Sequence, residues 1–174
     1  YKLGNDKEKL FFEYINRLSK NEPLQYILGN TLFNNLEFDL DSSVLIPRPE
    51  TEELVDLIIK YECKKDKILD ICSGSGCIAI TLAKYIKRSD VTALEICSNA
   101  VKIINNNADK HNVKIDIICK DFFTFHTKSS FDLIVSNPPY LTYSQKDKIS
   151  KNVLNYEPHP VSYTHLTLPT IYSV

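Results

Sequence analysis

Residues 67–88, KILDICSGSGCIAITLAKYIKR, run a short apolar segment into a turn with two glycines and then into a helix-forming stretch. A strand that hands over to a helix in this way must return to pair in parallel, because the crossover places the next strand beside it in the same direction. The pattern then repeats. DVTALEI (90–96) reads as a strand, NAVKIINNNADKHN (99–112) as a helix, and KIDIIC (114–119) and FDLIVS (131–136) as further strands. The alternation predicts an α/β chain with a parallel sheet and helices on both faces.

The stretch before residue 67 follows a different rule. KEKLFFEYINRLSK (7–20) places Leu10, Phe11, Tyr14, Ile15 and Leu18 at helical spacing. Pro23 and Gly29 break the pattern. TLFNNLEFDL then alternates Leu36, Phe38 and Leu40 with polar residues, and Asn34-Asn35 between two apolar runs predicts a hairpin. A helix is predicted from about residue 50, with Pro49 at its start, acids in its first turn and an apolar stripe of Leu54, Leu57 and Ile58.

Composition removes several function classes. A net charge of -1 gives no global basic field for nucleic acid. The five cysteines, Cys63, Cys72, Cys77, Cys97 and Cys119, have no metal-ligand spacing and read as reduced, mostly packed thiols. His111, His126, His159 and His165 form no sequence cluster, so no metal site is predicted. No apolar run approaches the ~20 residues that span a bilayer. The chain has no methionine and opens YKLGNDKEKL, which predicts a piece of a longer protein.

Gly74 and Gly76 are half of the chain's four glycines, and both sit at the strand-to-helix turn. Glycine there allows a sharp turn and the close approach of a ligand to the main chain, beside the unpaired N–H groups of a helix start. Alone, the loop reads equally as a tight turn. Glu95 closes the next strand, 19 residues after Gly76, where a carboxylate can accept both hydroxyls of a ribose. At the end of the third strand, Asp121 can accept from an adenine amino group and Phe122 can pack on the ring. The order Cys72-Ser73-Gly74-Ser75-Gly76 lacks the third glycine of a dinucleotide fingerprint. It suits one adenine nucleoside with a short charged tail, such as S-adenosylmethionine.

The fourth strand delivers Asn137-Pro138-Pro139-Tyr140 to the same edge. The prolines present carbonyls without N–H groups, and Asn137 adds a side-chain carbonyl. Together they offer acceptors for both hydrogens of a substrate –NH2, while Tyr140 can stack on a planar group. Such a site suits methylation of a conjugated nitrogen, whose N–H bonds strengthen as positive charge develops. The plainer reading of these four residues is a rigid strand end.

LDICSGSGCIAI, ALEICSNA, CKDFF and VSNPPYL, in this order, resemble a Rossmann-type S-adenosylmethionine-dependent methyltransferase. EPLQYILG, a hairpin and LIPRPETEELV upstream resemble the release-factor glutamine methyltransferases, also called the HemK type, over about residues 10–160. The resemblance implies a truncated Rossmann-like sheet preceded by a helix and a hairpin linker. It implies methyl transfer to the glutamine amide of the Gly-Gly-Gln motif in peptide chain release factors, in the cytoplasm, with no membrane and no direct nucleic-acid partner. By position, Cys72 to Gly76, Glu95, Phe122 and Asn137 would hold the cofactor. Asn137, Pro138, Pro139 and Tyr140 would hold the substrate, and Asn137, Pro138 and Tyr140 would act in catalysis. The implied organisation is a helical remnant at 1–30, a linker at 31–48, the catalytic domain at 49–160 and an atypical tail at 161–174.

The family often has glycine where Cys72 stands, and continues differently after YEPHP. Arg48, between two prolines, fits either the mouth of the site or a solvated turn. Glu50 and Thr51 read first as a helix start. The competing functions are adenine-N6 methylation of nucleic acid and an inactive adenosine-binding fragment.

Overall fold

The computed structural model describes residues 4–61, 66–138 and 155–158. Helix α1 (Asn5–Ser19) and the short α2 (Leu24–Leu28) lead into strands β1 (Asn30–Phe33) and β2 (Leu36–Asp39). These pair antiparallel, with Phe33 opposite Leu36. The two-residue turn has φ 47° at Asn34 and 61° at Asn35. Positive φ at both positions matches the twist of a hairpin, and asparagine adopts it at lower cost than most residues. Phe33 and Phe38 are fully buried and meet edge to face at 6.1 Å.

Helix α3 (Pro49–Lys60) starts on proline, with Glu50 and Glu52 in its first turn. Its inward face differs from the expected stripe. Thr51 and Val55 are buried and Ile58 and Ile59 pack on the core, whereas Leu54 and Leu57 are exposed. The burying positions are therefore 51, 55, 58 and 59, and the polar Thr51 among them conceals the register. The apolar side of α1 is largely exposed among the described residues, with Phe11 and Phe12 more than half accessible.

The main sheet contains β3 (Lys67–Ile71), β4 (Asp90–Glu95), β5 (Asp116–Cys119) and β6 (Leu133–Ser136), in the order β5-β4-β3-β6, with every pair parallel. Helices α4 (Cys77–Tyr85) and α5 (Ser98–His111) make the crossovers. Side chains alternate across the sheet. Ile68, Val91, Ala93 and Val135 form one core cluster with residues of α3, α4, α5 and the hairpin. Leu69, Ile71 and Leu94 point the other way and pack with Ile118, Phe125 and Phe131. The expected helices thus lie on one face among the described residues, and the loop after β5 covers part of the other. Ile134 on that second face is 59% exposed.

The register aligns the carboxyl ends of the strands. Ile71 sits opposite Leu94 and Ser136, and Glu95 sits opposite Cys119. The loops that follow four strands are thereby gathered at one edge, the usual ligand position of an open α/β sheet.

Candidate functional site

The turn from β3 to α4 is built from left-handed residues. Cys72, Gly74 and Gly76 have φ of 59°, 58° and 80°. A side chain on Gly76 would meet Ile80 Cδ1 at 3.0 Å and Ile104 Cγ2 at 3.1 Å, so glycine lets α5 approach closely. A side chain on Gly74 would meet nothing within 4 Å. Its surface is open. Cys72 accepts the same strained conformation without being glycine, at the position where the resembling family often has one.

Two acids frame this loop. Asp70 is wholly buried. Its Oδ2 accepts the Ser73 hydroxyl at 2.5 Å and the Ala79 N–H at 3.2 Å, while Oδ1 has no partner. Burial pushes its carboxyl up to about 7; the two hydrogen bonds oppose the shift and the nearby Glu95 adds to it. Glu95 is 7% exposed. Its Oε2 accepts the Gly74 N–H at 2.9 Å and its Oε1 accepts the Cys97 N–H at 3.0 Å. The backbone fixes this carboxylate, and each oxygen keeps a lone pair for a further donor.

Burial also pushes the Cys72 thiol up to about 11 and the Cys77 thiol up to about 12, with Glu95 and Asp70 acting in the same direction on Cys72. Neither is a thiolate nucleophile near neutral pH. Among the described residues no group of His, Cys, Asp and Glu has the arrangement of a metal site.

Two adjacent hollows open at this edge. An inner cavity of about 190 Å³ is walled by the 72–75 loop, Glu95, Ile96 and Cys97, and by Thr51 and Asn137. Ser43, Leu45, Pro47 and Pro158 complete it from outside the sheet. An outer cleft of about 470 Å³ is walled by Arg48, Glu50, Thr51, Leu54, Ser136 and Asn137. Thr51 and Asn137 belong to both. Asn137 Nδ2 faces Thr51 Oγ1 at 3.5 Å. The inner cavity fits a nucleoside cofactor: it contains a fixed carboxylate with spare lone pairs and a glycine with open space above it.

Of the residues singled out in the sequence, Cys72, Ser73, Gly74, Ser75, Glu95 and Asn137 line the inner cavity. Gly76 lies behind it, against α5. Asp121 and Phe122 wall neither hollow, although the Asp121 carboxylate stands near enough to Cys72 to act on its thiol. Asp121 Oδ1 accepts the Phe123 N–H at 2.9 Å and caps the 3-10 turn Phe122–Thr124, and the Phe122 ring is 44% exposed beside Phe123. Pro138 follows Asn137 without lining either hollow, and Pro139 and Tyr140 lie outside the described residues.

Thr51 and Arg48 both line the outer cleft. Arg48 donates to Glu157 Oε1 at 2.6 Å, and the Glu157 side chain is 2% exposed. Asp70 and Asn107 were not singled out in the sequence. Their signal was present: an acid inside the apolar KILDIC, and an asparagine in line with the inward positions Ile103, Ile104 and Ala108.

Residues 29–158 match the family described as the methyltransferase small domain. The chain is 47% identical over 149 residues to a protein named release factor glutamine methyltransferase from Flavobacterium psychrophilum, covering 82% of this chain and 52% of that one. It is 43% identical over 159 residues to a protein of the same name from Lactococcus lactis, covering 90% and 58%. The chain thus spans little more than half the length of these curated relatives. Among solved structures, TYW2 of M. jannaschii in complex with AdoMet aligns with TM-score 0.54 at 20% identity, over 67% of this chain and 53% of that one. Trm5b of Pyrococcus abyssi aligns with TM-score 0.55 at 21% identity, over 76% and 38%. These two likenesses concern the fold.

Proposed function

The chain belongs to the methyltransferase small domain family, and on that premise we propose that it serves methyl transfer from S-adenosylmethionine to the glutamine side-chain amide of the Gly-Gly-Gln motif in peptide chain release factors. The observation that carries this reading is Asn137, which stands in the wall between the inner cavity and the outer cleft. A donor held in the first and an amide held in the second would meet at this residue.

The inner cavity supplies the cofactor half. Glu95 accepts ribose hydroxyls, and the open face of Gly74 leaves room for the adenosyl chain. When bound, S-adenosylmethionine supplies an electrophilic methyl group on a sulfonium. The outer cleft supplies the acceptor half. With Nδ2 turned to Thr51, the Asn137 Oδ1 is left to accept one amide N–H, and the carbonyl of Pro138 accepts the other. These bonds orient the nitrogen and strengthen as positive charge develops on it. The nitrogen is neutral at the start and gives up its proton during or after transfer, so no strong base is needed first. Pro139 and Tyr140 complete this pocket in the reading drawn from the resemblance. In this reading the partner is a release factor, met in the cytoplasm where translation ends.

The test is transfer of labelled methyl with a release factor and duplex DNA offered side by side. Label on the release factor, lost when its Gly-Gly-Gln glutamine is replaced, is the expected result. Label on DNA alone, or none on either while the cofactor still binds, would sink the reading.

A further inference from the structure

Three residues of the glycine-bearing loop are tied to three different elements. The Ser73 hydroxyl donates to Asp70 of β3, and the Gly74 N–H donates to Glu95 of β4. The Ser75 carbonyl accepts from Asn107 Nδ2 of α5 at 3.0 Å. Ser75 directly precedes Gly76, the N-cap of α4, so its carbonyl lies outside the helix and has no intrahelical donor. The Ala79 N–H, which the helix leaves unpaired, donates to Asp70. Asn107 supplies the Ser75 carbonyl with a donor from another helix.

The same amide grips the hairpin. Asn107 Nδ2 also donates to the Asp39 carbonyl at 2.9 Å, and its Oδ1 accepts the Asp39 N–H at 2.8 Å. The side chain is fully buried, so water cannot replace these bonds. Other ties hold the hairpin to α5 without reaching the loop. Lys110 Nζ meets Glu37 Oε1 at 2.7 Å and Asp39 Oδ1 at 2.6 Å, and His111 Nε2 meets the Glu37 carbonyl at 2.8 Å.

We propose that Asn107 is a positioning residue for the cofactor loop: its amide fixes the Ser75 carbonyl against hairpin strand β2 and so sets the backbone of residues 73–76. The inference rests on the cofactor reading above for its functional consequence. The hairpin is then part of the cofactor site's scaffold, and Lys110 is part of the hairpin's attachment only.

Three measurements on the full chain decide it. The first is hydrogen exchange of the segment 72–79 without ligand. Asn107→Ala should speed exchange there while β3 and β4 stay protected, and Lys110→Ala should leave the loop as it was. The second is calorimetric titration with S-adenosylhomocysteine well below the melting temperature. Loss of a buried hydrogen bond of this kind predicts affinity weakened about tenfold or more in Asn107→Ala and little changed in Lys110→Ala. Turnover at saturating cofactor should stay near normal while the cofactor KM rises; a merely structural role would instead lower the active fraction at unchanged KM. Should Asn107→Ala fail to fold, Asn107→Ser carries the same expectations. Unchanged loop exchange, wild-type affinity, or an equal loss in Lys110→Ala would overturn the proposal. A wild-type chain that takes up no S-adenosylhomocysteine would remove the cofactor reading, and the exchange measurement would still decide the tie.

Discussion

Replacing Asp70 by asparagine tests the electrostatics of the site. The carboxyl has its ordinary value near 3.8 in the unfolded chain and about 7 in the fold, chiefly through burial. At about 1.36 kcal/mol per pH unit, that interval is worth ~4 kcal/mol. The sign follows from proton binding. Between pH 3.8 and about 7 the folded chain keeps this proton and the unfolded chain loses it. The contribution to stability is therefore complete below 3.8, is lost as pH rises to about 7, and is level above that. Asparagine removes the titration but leaves an N–H that needs an acceptor, a cost of about 1–3 kcal/mol at every pH. Urea unfolding of both proteins should thus show the variant clearly weaker at pH 4.5 and level with or more stable than the parent at pH 8. The swing between those two values should be ~3 kcal/mol. A difference between the proteins that stays constant with pH would mean that Asp70 is not held neutral by burial.

Further predictions follow from the same geometry. Gly76→Ala should lower stability by ~2–4 kcal/mol in thermal unfolding, from left-handed strain plus crowding of Ile80 and Ile104, while Gly74→Ala should cost only the strain, ~1–2 kcal/mol. Equal losses in the two would deny the close contact with α5. Glu95→Ala should weaken S-adenosylhomocysteine binding by ~1–3 kcal/mol in calorimetric titration, and unchanged affinity would remove this acid from the site. Asn137→Ala should slow single-turnover methylation of a release factor by about 10²–10³ while changing cofactor affinity much less; near-normal turnover would leave these residues as a strand end only.

The elements whose pattern is local were legible in the sequence. The Asn34-Asn35 turn, the proline start of α3 and the strand-glycine-helix unit at 67–85 depend on residues a few positions apart, and each forms as read. The carboxyl-end placement of Glu95 and Asn137 was legible because a parallel sheet puts all strand ends on one edge. What escaped depends on which side of an element meets the core. The α3 stripe was shifted because Thr51, a polar residue, occupies a buried position shared by both hollows. Asn107 escaped for the same reason, as a polar side chain on an apolar face whose partners lie 32 and 68 residues away. Asp121 also has a local role that the sequence pattern does not announce: a short side chain two residues before an N–H makes a cap.

The sheet order bears on how the chain acquires its site. Strands β3, β4 and β5 are consecutive in the sequence and neighbours in the sheet, so the loop, Glu95 and Asn107 all lie in one stretch, residues 67–119. β6 must cross back to pair with β3, with Ile71 meeting Ser136 across 65 residues. Contacts of long sequence separation are closed late, after their entropic cost has been met by nearer ones. On the ribosome the N-terminal part of a chain is also the first to emerge. The three strands that carry the glycine loop and Glu95 can therefore pair while Asn137 is still detached, and the wall shared by the two hollows closes only when the fourth strand arrives. Pulse-labelled hydrogen exchange during refolding would read this as protection of residues 68–71 and 91–95 ahead of residues 133–136.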